Sequence, residues 1–224
     1  MAFRKFLYDY ILAQGFRLQD YPKLFLWVPI LGDVYRIKRR SVDHLRLQHG
    51  DKVLIYSIGA GFGLDFILER IGETGFVVGV DFSESMLKIA QEKVDKNGWK
   101  NVRLVLADLR EYGPSLDIGY KVDAALSIFG YLDKEVIADL INALKPGGRI
   151  VISGPQPLKG WRKIFYPVTF VPEMIFGLTW KNLHQFSGYI DIIKKDLSEV
   201  NIDEKTFAKY FVAVSGIKNE RQVQ

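Results

Sequence analysis

The amino-acid sequence predicts an α/β fold, in which a mostly parallel sheet of seven strands carries helices on both faces. Three observations predict it. Residues 53–154 alternate short apolar runs with segments of helical periodicity. The apolar runs are nearly continuous, which is typical of strands that are buried on both faces of a parallel sheet. After 188, a last helical stretch precedes two β-like runs, which suit an antiparallel hairpin at the edge of the sheet.

The elements follow one another in a regular order. Five apolar runs predict the parallel strands, at 53–58, 76–80, 102–107, 122–127 and 149–153. Helices are predicted between and after them, at 62–71, at 83–97 with Ser83 as N-cap, at about 133–145 and at about 189–199. The two C-terminal strands are expected around 201–209 and 210–217.

We expect one domain with four parts. A chain of 224 residues suits a single α/β domain with a substantial core. The parts are an N-terminal helical cap at 1–50, a ligand-binding core at 51–154, a lid insert at 155–188, and a C-terminal helix with two strands at 189–224. The lid is rich in proline and aromatic residues, and we expect it to roof the ligand face after the fifth strand.

The amino-acid composition excludes several kinds of chemistry and partner. Cysteine is absent, so disulfides and thiolate chemistry are excluded, and the composition is compatible with a reducing compartment. The three histidines have no metal-ligand spacing, and no metal is expected. No apolar run is long and uninterrupted enough to cross a bilayer, so we expect a cytoplasmic protein. The net charge of +5 favours an anionic partner, while the absence of a recognisable nucleic-acid module counts against nucleic acid.

The sharpest motif is the glycine loop Gly59-Ala60-Gly61-Phe62-Gly63, which stands between a strand and a helix. Glycines there permit a tight turn and let the backbone approach a ligand closely. Asp81 closes the next strand, where its carboxylate can accept hydrogen bonds from ribose hydroxyls. The third glycine comes one position earlier than in the dinucleotide pattern GxGxxG. The loop and Asp81 alone do not separate NAD from another nucleoside cofactor.

Neighbouring blocks carry a family resemblance. GVDFSESMLKIAQEKV and VRLVLADL resemble the second and third motifs of class I S-adenosylmethionine-dependent methyltransferases, and LKPGGRIVIS resembles their fifth strand with its preceding turn. From about 35 to 154 the chain is similar to phospholipid N-methyltransferases, and somewhat to ubiquinone/menaquinone C-methyltransferases. The resemblance implies a Rossmann-like sheet, S-adenosyl-L-methionine as cofactor, and a lipid amine or isoprenoid quinone as methyl acceptor.

The resemblance also implies a role for each matching residue. Around the methionine moiety it places Ser57, Gly59, Ala60, Gly61 and Gly63. At the ribose and adenine it places Asp81, Phe82, Met86, Asp108 and Leu109, and beside the transferring methyl Ser127 and Phe129. Ser57 departs from the family, which usually has an acidic residue there. The departure weakens the expected cofactor site and keeps an inactive scaffold as an alternative.

The acceptor site is less defined. No base stands out, and Tyr131 and His184 are the catalytic candidates. Residues 127–131 lack the Pro-Pro-Tyr type of tetrapeptide, which counts against amide or nucleic-acid acceptors. The aromatic lid indicates a lipophilic acceptor, and nearby basic residues suit an anionic membrane surface; these are Arg36, Lys38, Arg39, Arg40, Lys159, Arg162 and Lys163. An NAD-dependent oxidoreductase is the other enzymatic alternative, although Glu135 stands where a Tyr-x-x-x-Lys pair needs lysine. The oligomeric state stays open.

Overall fold

The computed structural model describes residues 29–107, 119–130, 132–167, 169 and 180–219 of the chain. Its centre is one seven-stranded sheet with the strand order β3-β2-β1-β4-β5-β7-β6. The strands are β1 Lys52–Tyr56, β2 Phe76–Asp81, β3 Val102–Leu106, β4 Val122–Ile128, β5 Leu144–Pro155, β6 Leu197–Asp203 and β7 Phe211–Lys218. The first five pair in parallel, whereas β7 runs antiparallel to both β5 and β6. The predicted fold class is confirmed.

Helices cover both faces of the sheet. Their bounds are α1 Pro29–His44, α2 Leu64–Ile71, α3 Glu84–Asn97, α4 Lys134–Ala143 and α5 Trp180–Asp196. The buried side chains of α1, α2 and α3 share one apolar core with one face of the strands. Those of α4 and α5 share a second core with the opposite face. The central strands β1, β2 and β4 are therefore removed from water on both faces, which is why they are nearly continuously apolar rather than alternating, whereas the edge strands β3 and β6 are partly exposed.

Two helix starts follow directly from polar side chains. The Ser83 hydroxyl accepts a hydrogen bond from the Met86 N–H at 3.3 Å at the start of α3. The Asp133 carboxylate accepts one from the Val136 N–H at 2.9 Å at the start of α4. Both side chains satisfy a backbone donor that the first helical turn leaves without an internal partner. The predicted N-cap role of Ser83 is confirmed.

Several element bounds differ from those predicted. The fourth predicted helix, at 189–199, begins earlier at Trp180, inside the segment expected to form the lid, and ends at Asp196. β5 begins at Leu144, because Leu144 pairs with Val122 before a register shift admits the turn at 145–148. The two C-terminal strands are separated by a short 3₁₀ turn at Phe207–Lys209, and another lies at Gly160–Phe165. Within the described residues, no helix combines the length and apolar character needed to cross a membrane.

The strand order indicates the edge of the sheet at which a ligand would bind, called the ligand edge below. From β1 the chain proceeds outward to β2 and β3, then returns to β4 on the other side of β1. The loops that leave the carboxyl ends of β1 and β4 therefore diverge to opposite faces and open a crevice between them. Ser57 follows β1, Asp81 ends β2, and Ser127 lies near the end of β4. Three of the predicted site residues are thus brought to one edge of the sheet.

Candidate cofactor-binding site

The glycine loop is held in a conformation that favours glycine. Gly59, Gly61 and Gly63 have φ values of 56°, 74° and 88°, in the left-handed region. A Cβ on Gly61 would lie 3.2 Å from the Cβ of Ala90, so the loop packs closely on α3. A Cβ on Gly59 would meet nothing within 4 Å, so the loop leaves open space on that side. The loop therefore combines close packing beneath with room for a ligand above.

Asp81 ties this loop to the end of β2. Its Oδ2 accepts a hydrogen bond from the Gly59 N–H at 2.7 Å, and its Oδ1 accepts one from the Ser83 N–H at 3.0 Å. Burial raises the pKa of Asp81, although the backbone N–H donors of Ser83, Gly59 and Phe82 act in the opposite direction. A carboxylate has about four acceptor positions, so Asp81 keeps capacity for a ribose hydroxyl beside these donors.

Exposed apolar side chains flank Asp81. Phe82 is 48% exposed at the end of β2, and Leu106 is 56% exposed at the end of the neighbouring β3. Large apolar groups left in water beside a buried carboxylate suit the flat faces of a nucleoside base. Met86, which was expected against the adenine, is buried in the core and offers no exposed face of its own. Leu106 was not singled out from the sequence, because it reads as one more apolar residue of β3.

Two serines meet at the carboxyl ends of β1 and β4. A Cβ on Gly130 would clash with the hydroxyl of Ser127 and lie 2.8 Å from that of Ser57, so both hydroxyls border this glycine. Ser57 has a φ of 56°, a conformation that is strained for a residue with a Cβ. The Ser127 hydroxyl is buried and has no hydrogen-bond partner among the described residues. A buried hydroxyl without a partner is costly unless a ligand satisfies it.

Phe129 closes the same region. It adopts a φ of 57°, and its N–H donates to the carbonyl of Ser153 at 2.8 Å. Its ring packs edge-on against Phe211, with the centroids 5.2 Å apart. The end of β4 is therefore a fixed apolar wall beside the Ser127 hydroxyl.

Lys38 reaches this edge from α1. The residue is only 6% exposed, and its Nζ lies 4.1 Å from the ring centroid of Phe62 and 5.7 Å from that of Phe129. Burial, together with repulsion from Lys93, lowers the pKa of Lys38 to about 7. The prediction that Lys38 belongs to a basic membrane-facing cluster is wrong, because its side chain is buried. Its position on the apolar stripe of α1, one turn from Val34, was the available signal.

Some candidates fall outside the described side chains. Asp108, Leu109 and Tyr131 lie outside the described residues. The backbone of His184 lies on α5, in the part of that helix whose side chains are not described. Within the described part of the chain, no three His, Asp or Glu side chains are grouped to hold a metal ion.

Comparisons with known proteins cover the part of the chain that carries the glycine loop and Asp81. Residues 53–148 match the protein family described as a methyltransferase domain. The demethylmenaquinone methyltransferase of Listeria welshimeri is 32% identical over 144 residues, which cover 62% of this chain and 61% of that protein. That of Anoxybacillus flavithermus is 28% identical over 138 residues, covering 58% of this chain and 56% of that protein. The chain thus spans about three fifths of the length of the curated relatives it matches.

A solved structure extends the comparison to the fold. A SAM-dependent methyltransferase from Thiobacillus denitrificans, in complex with S-adenosyl-L-homocysteine, has a TM-score of 0.54 at 16% identity. The likeness covers 80% of this chain and 89% of that one, and it shows the fold. Together with the match of residues 53–148 to a methyltransferase domain, it supports a class I S-adenosylmethionine-dependent methyltransferase domain. This class is favoured over the NAD-dependent oxidoreductase that the glycine loop alone left open.

The family match and the shared fold support S-adenosylmethionine as the cofactor, which when bound would supply a methyl group on a positively charged sulfur. The residues present fit such a group. Asp81 has acceptor capacity for the ribose, Gly59 leaves open space above the loop, and the buried Ser127 hydroxyl has no hydrogen-bond partner among the described residues.

Proposed function

We propose that this chain methylates a ring carbon of a lipophilic isoprenoid quinol at the inner face of a membrane. The observation that carries this proposal is the likeness to two proteins named demethylmenaquinone methyltransferase, a name that states a demethylated isoprenoid quinone as the methyl acceptor of those proteins. A lipid amine, to which the sequence also pointed, is the competing acceptor and is an outcome of the test below.

The assignment of residues to the cofactor belongs to the same proposal. Ser57 and the glycine loop would line the methionine moiety, and Asp81 the ribose. Phe82 and Leu106 would flank the adenine. Ser127 and Phe129 would border the methyl group, and the Phe129 ring is itself packed against Phe211.

The transfer balances without an oxidant. The quinol ring carbon would gain the methyl group and lose its proton, and the bound cofactor would supply that methyl group with a neutral thioether as the leaving group. The chain would contribute mainly by aligning the ring and excluding water, since alignment of reacting groups lowers the barrier substantially. Tyr131 and His184 stay candidates for the group that receives the proton.

A surface next to the ligand edge suits a membrane. The insert leaves β5 after Pro155, at the same edge of the sheet as Ser127. In its 3₁₀ turn, Trp161 is 72% exposed and Ile164 is 68% exposed. Basic side chains border this pair, at Lys159, Arg162 and Lys163.

Contacts on the buried side of the 3₁₀ turn fix it to the rest of the protein. The Phe165 ring packs against Phe207 with centroids 4.8 Å apart, and Leu158 is buried in the core. Trp161 and Ile164 are thereby held outward while cations stand beside them. Exposed apolar groups among cations favour the interface of an anionic bilayer.

The acceptor is tested with the purified protein and S-adenosylmethionine labelled in its methyl group. Anionic vesicles carry either a demethylated naphthoquinol, kept reduced with dithionite, or phosphatidylethanolamine. We expect label in the organic extract only with the quinol, in a product one methyl group heavier. Label in phosphatidylethanolamine alone would replace the quinol by a lipid amine. Tight cofactor binding without label in either lipid would refute both acceptors, whereas failure to bind the cofactor would support the inactive scaffold instead.

Membrane attachment is tested separately by sedimentation with vesicles of phosphatidylglycerol and phosphatidylcholine. Trp161→Ser with Ile164→Ser should weaken partitioning roughly tenfold or more, because about 25 cal/mol is lost per Å² of apolar surface that leaves the interface. Ile202→Ser is the matched control, since Ile202 is an exposed apolar residue on β6, away from the turn. Equal loss in the control and the double variant would contradict a docking role for the turn.

A further inference from the structure

Helix α1 carries a basic side chain into the interior at the ligand edge of the sheet. Lys38 lies among apolar residues of the helix, with Ile37 and Ser41 also buried. Its Nζ is placed between the ring of Phe62, in the glycine loop after β1, and the ring of Phe129, just after β4. Because β1 and β4 are neighbours, the ammonium group stands over the crevice between their carboxyl ends.

The strand order gives this position a chemical meaning. Asp81 ends β2, on the side of β1 away from β4. If Asp81 holds the ribose and Leu106 on β3 flanks the adenine, the base points outward along the sheet. The amino-acid end of the cofactor must then extend in the opposite direction, over β1 toward β4. That end lies where Lys38 and Ser57 are found.

The charges at that end are complementary. S-adenosylmethionine carries one anionic group, the carboxylate of its methionine moiety. The position where related enzymes have an acidic side chain is here Ser57, so no carboxylate of the chain competes for a cation at this residue. We infer that Lys38 binds the carboxylate of the cofactor's methionine moiety, an inference that rests on the cofactor site proposed above and is independent of the acceptor.

The environment of Lys38 agrees with such a role. Burial and the charge of Lys93 on α3 lower the pKa of Lys38 to about 7, so near neutral pH the ammonium form is held at a cost. An incoming carboxylate would favour that form and draw a proton from solution. The other charged side chains on α1 and α2 are engaged elsewhere: Arg36 with Asp33, Arg40 and His44 with Asp203, Arg70 with Asp43, and Arg39 over the Phe66 ring. The remaining charged side chains on the elements that pack against α1 are Asp65 and Glu69 on α2, Asp123 on β4, Lys145 and Arg149 on β5, Lys218 on β7, and Lys209 on the 3₁₀ turn.

Calorimetry with two matched ligands isolates the contact. S-adenosylhomocysteine has the carboxylate, whereas its decarboxylated analogue keeps the adenosine, the sulfur and the ammonium group. Lys38→Met should lower the affinity for S-adenosylhomocysteine roughly tenfold to a hundredfold, which is typical for loss of a charge-assisted hydrogen bond. It should leave the affinity for the decarboxylated analogue within about a factor of two. Lys38→Arg should restore most of the difference, and Arg39→Met, an exposed neighbour on α1, should change neither ligand.

Proton uptake provides a second readout. Titrations near pH 7 in buffers of different ionisation enthalpy should give roughly half a proton taken up per S-adenosylhomocysteine bound to the natural protein. The Lys38→Arg variant should take up much less, because an arginine stays charged in both states. A purely structural role for Lys38 would change both ligands equally and leave proton uptake unaffected by Lys38→Arg.

The outcomes separate the two proposals. If S-adenosylhomocysteine binds and Lys38→Met weakens it no more than the decarboxylated analogue, the role of Lys38 is refuted while the cofactor site stands. If neither ligand binds the natural protein, the cofactor site itself is wrong, and the inference about Lys38 is refuted with it.

Discussion

Replacing the buried Lys38 by methionine should make the protein more stable. The pKa of Lys38 falls from 10.5 to about 7 in the folded chain. With each pKa unit worth about 1.4 kcal/mol, this shift corresponds to a loss of about 4 kcal/mol of native-state stability near pH 7. The cation over the Phe62 ring returns about 1 kcal/mol of it. Methionine keeps a chain of similar length without the charge, so Lys38→Met should raise the free energy of unfolding by about 3 kcal/mol.

The pH dependence tests the cause of this gain. Between about pH 7 and pH 10.5 the unfolded chain keeps the proton of Lys38 while the folded chain has released it. Stability of the natural protein therefore rises with pH over this window, by about 1.4 kcal/mol per pH unit from this group. The variant lacks that contribution, so its advantage should shrink toward higher pH.

Urea unfolding followed by far-ultraviolet circular dichroism at about pH 7, 8 and 9 measures both effects. Arg39→Met is the control, because Arg39 is an exposed cation on the same helix. A Lys38→Met protein that is less stable than the natural one near pH 7, or a gap that does not narrow with pH, would refute the reasoning.

Three further changes test the site and its support. Asp81→Asn should weaken S-adenosylhomocysteine binding about tenfold or more in calorimetry, since an amide cannot accept at its nitrogen. Because the pKa of Asp81 is raised, the affinity of the natural protein should also fall as the pH drops through that pKa, whereas the affinity of the Asn variant should not. Gly130→Ala should lower cofactor affinity in the same assay, because its Cβ must displace the hydroxyls of Ser57 and Ser127. Asp203→Ala should cost about 2 kcal/mol in urea unfolding at neutral pH, because the carboxylate accepts from side chains of α1. Burial alone would raise the pKa of Asp203, but its hydrogen bonds lower that pKa overall. The contribution of Asp203 to folding stability is therefore present above its unfolded-state pKa and is lost as the pH falls through its folded-state pKa. A variant whose unfolding curve matches the natural protein would contradict the last prediction.

The parallel strands could be predicted because burial on both faces leaves a plain signal. β1 to β4 begin and end within two residues of the predicted runs. The start of β5 could not be predicted, because Lys145-Pro146-Gly147-Gly148 indicates a break, whereas pairing of Leu144 with Val122 continues the sheet across it. The start of α5 was missed for a related reason. Residues 180–188 are aromatic and polar without a clear stripe, and local propensity yields to tertiary packing in such segments.

The residues of the site likewise divide into those that the local sequence pattern predicts and those that depend on tertiary packing. The glycine loop and Asp81 lie within the ordered motifs of the core, so their convergence follows from parallel strands ending at one edge. Leu106 was not distinguishable from its strand neighbours, because exposure at the end of a strand depends on what the following segment covers. Lys38 shares the apolar stripe of α1, but a lysine at such a position ordinarily extends its ammonium group to water.

What buries Lys38 is contact with residues far along the chain. Packing of α1 beside the loop after β1 and the end of β4 puts its Nζ against Phe62 and Phe129. A charge kept out of water at the expense of stability is better explained by function than by folding, since an apolar residue would serve the core better. The stability and binding experiments on Lys38→Met therefore bear on each other. If Lys38→Met gains stability and loses recognition of the carboxylate, the stability lost by burying Lys38 in the natural protein serves cofactor binding. Gain of stability with unchanged recognition would show that the cation serves some other partner at this edge.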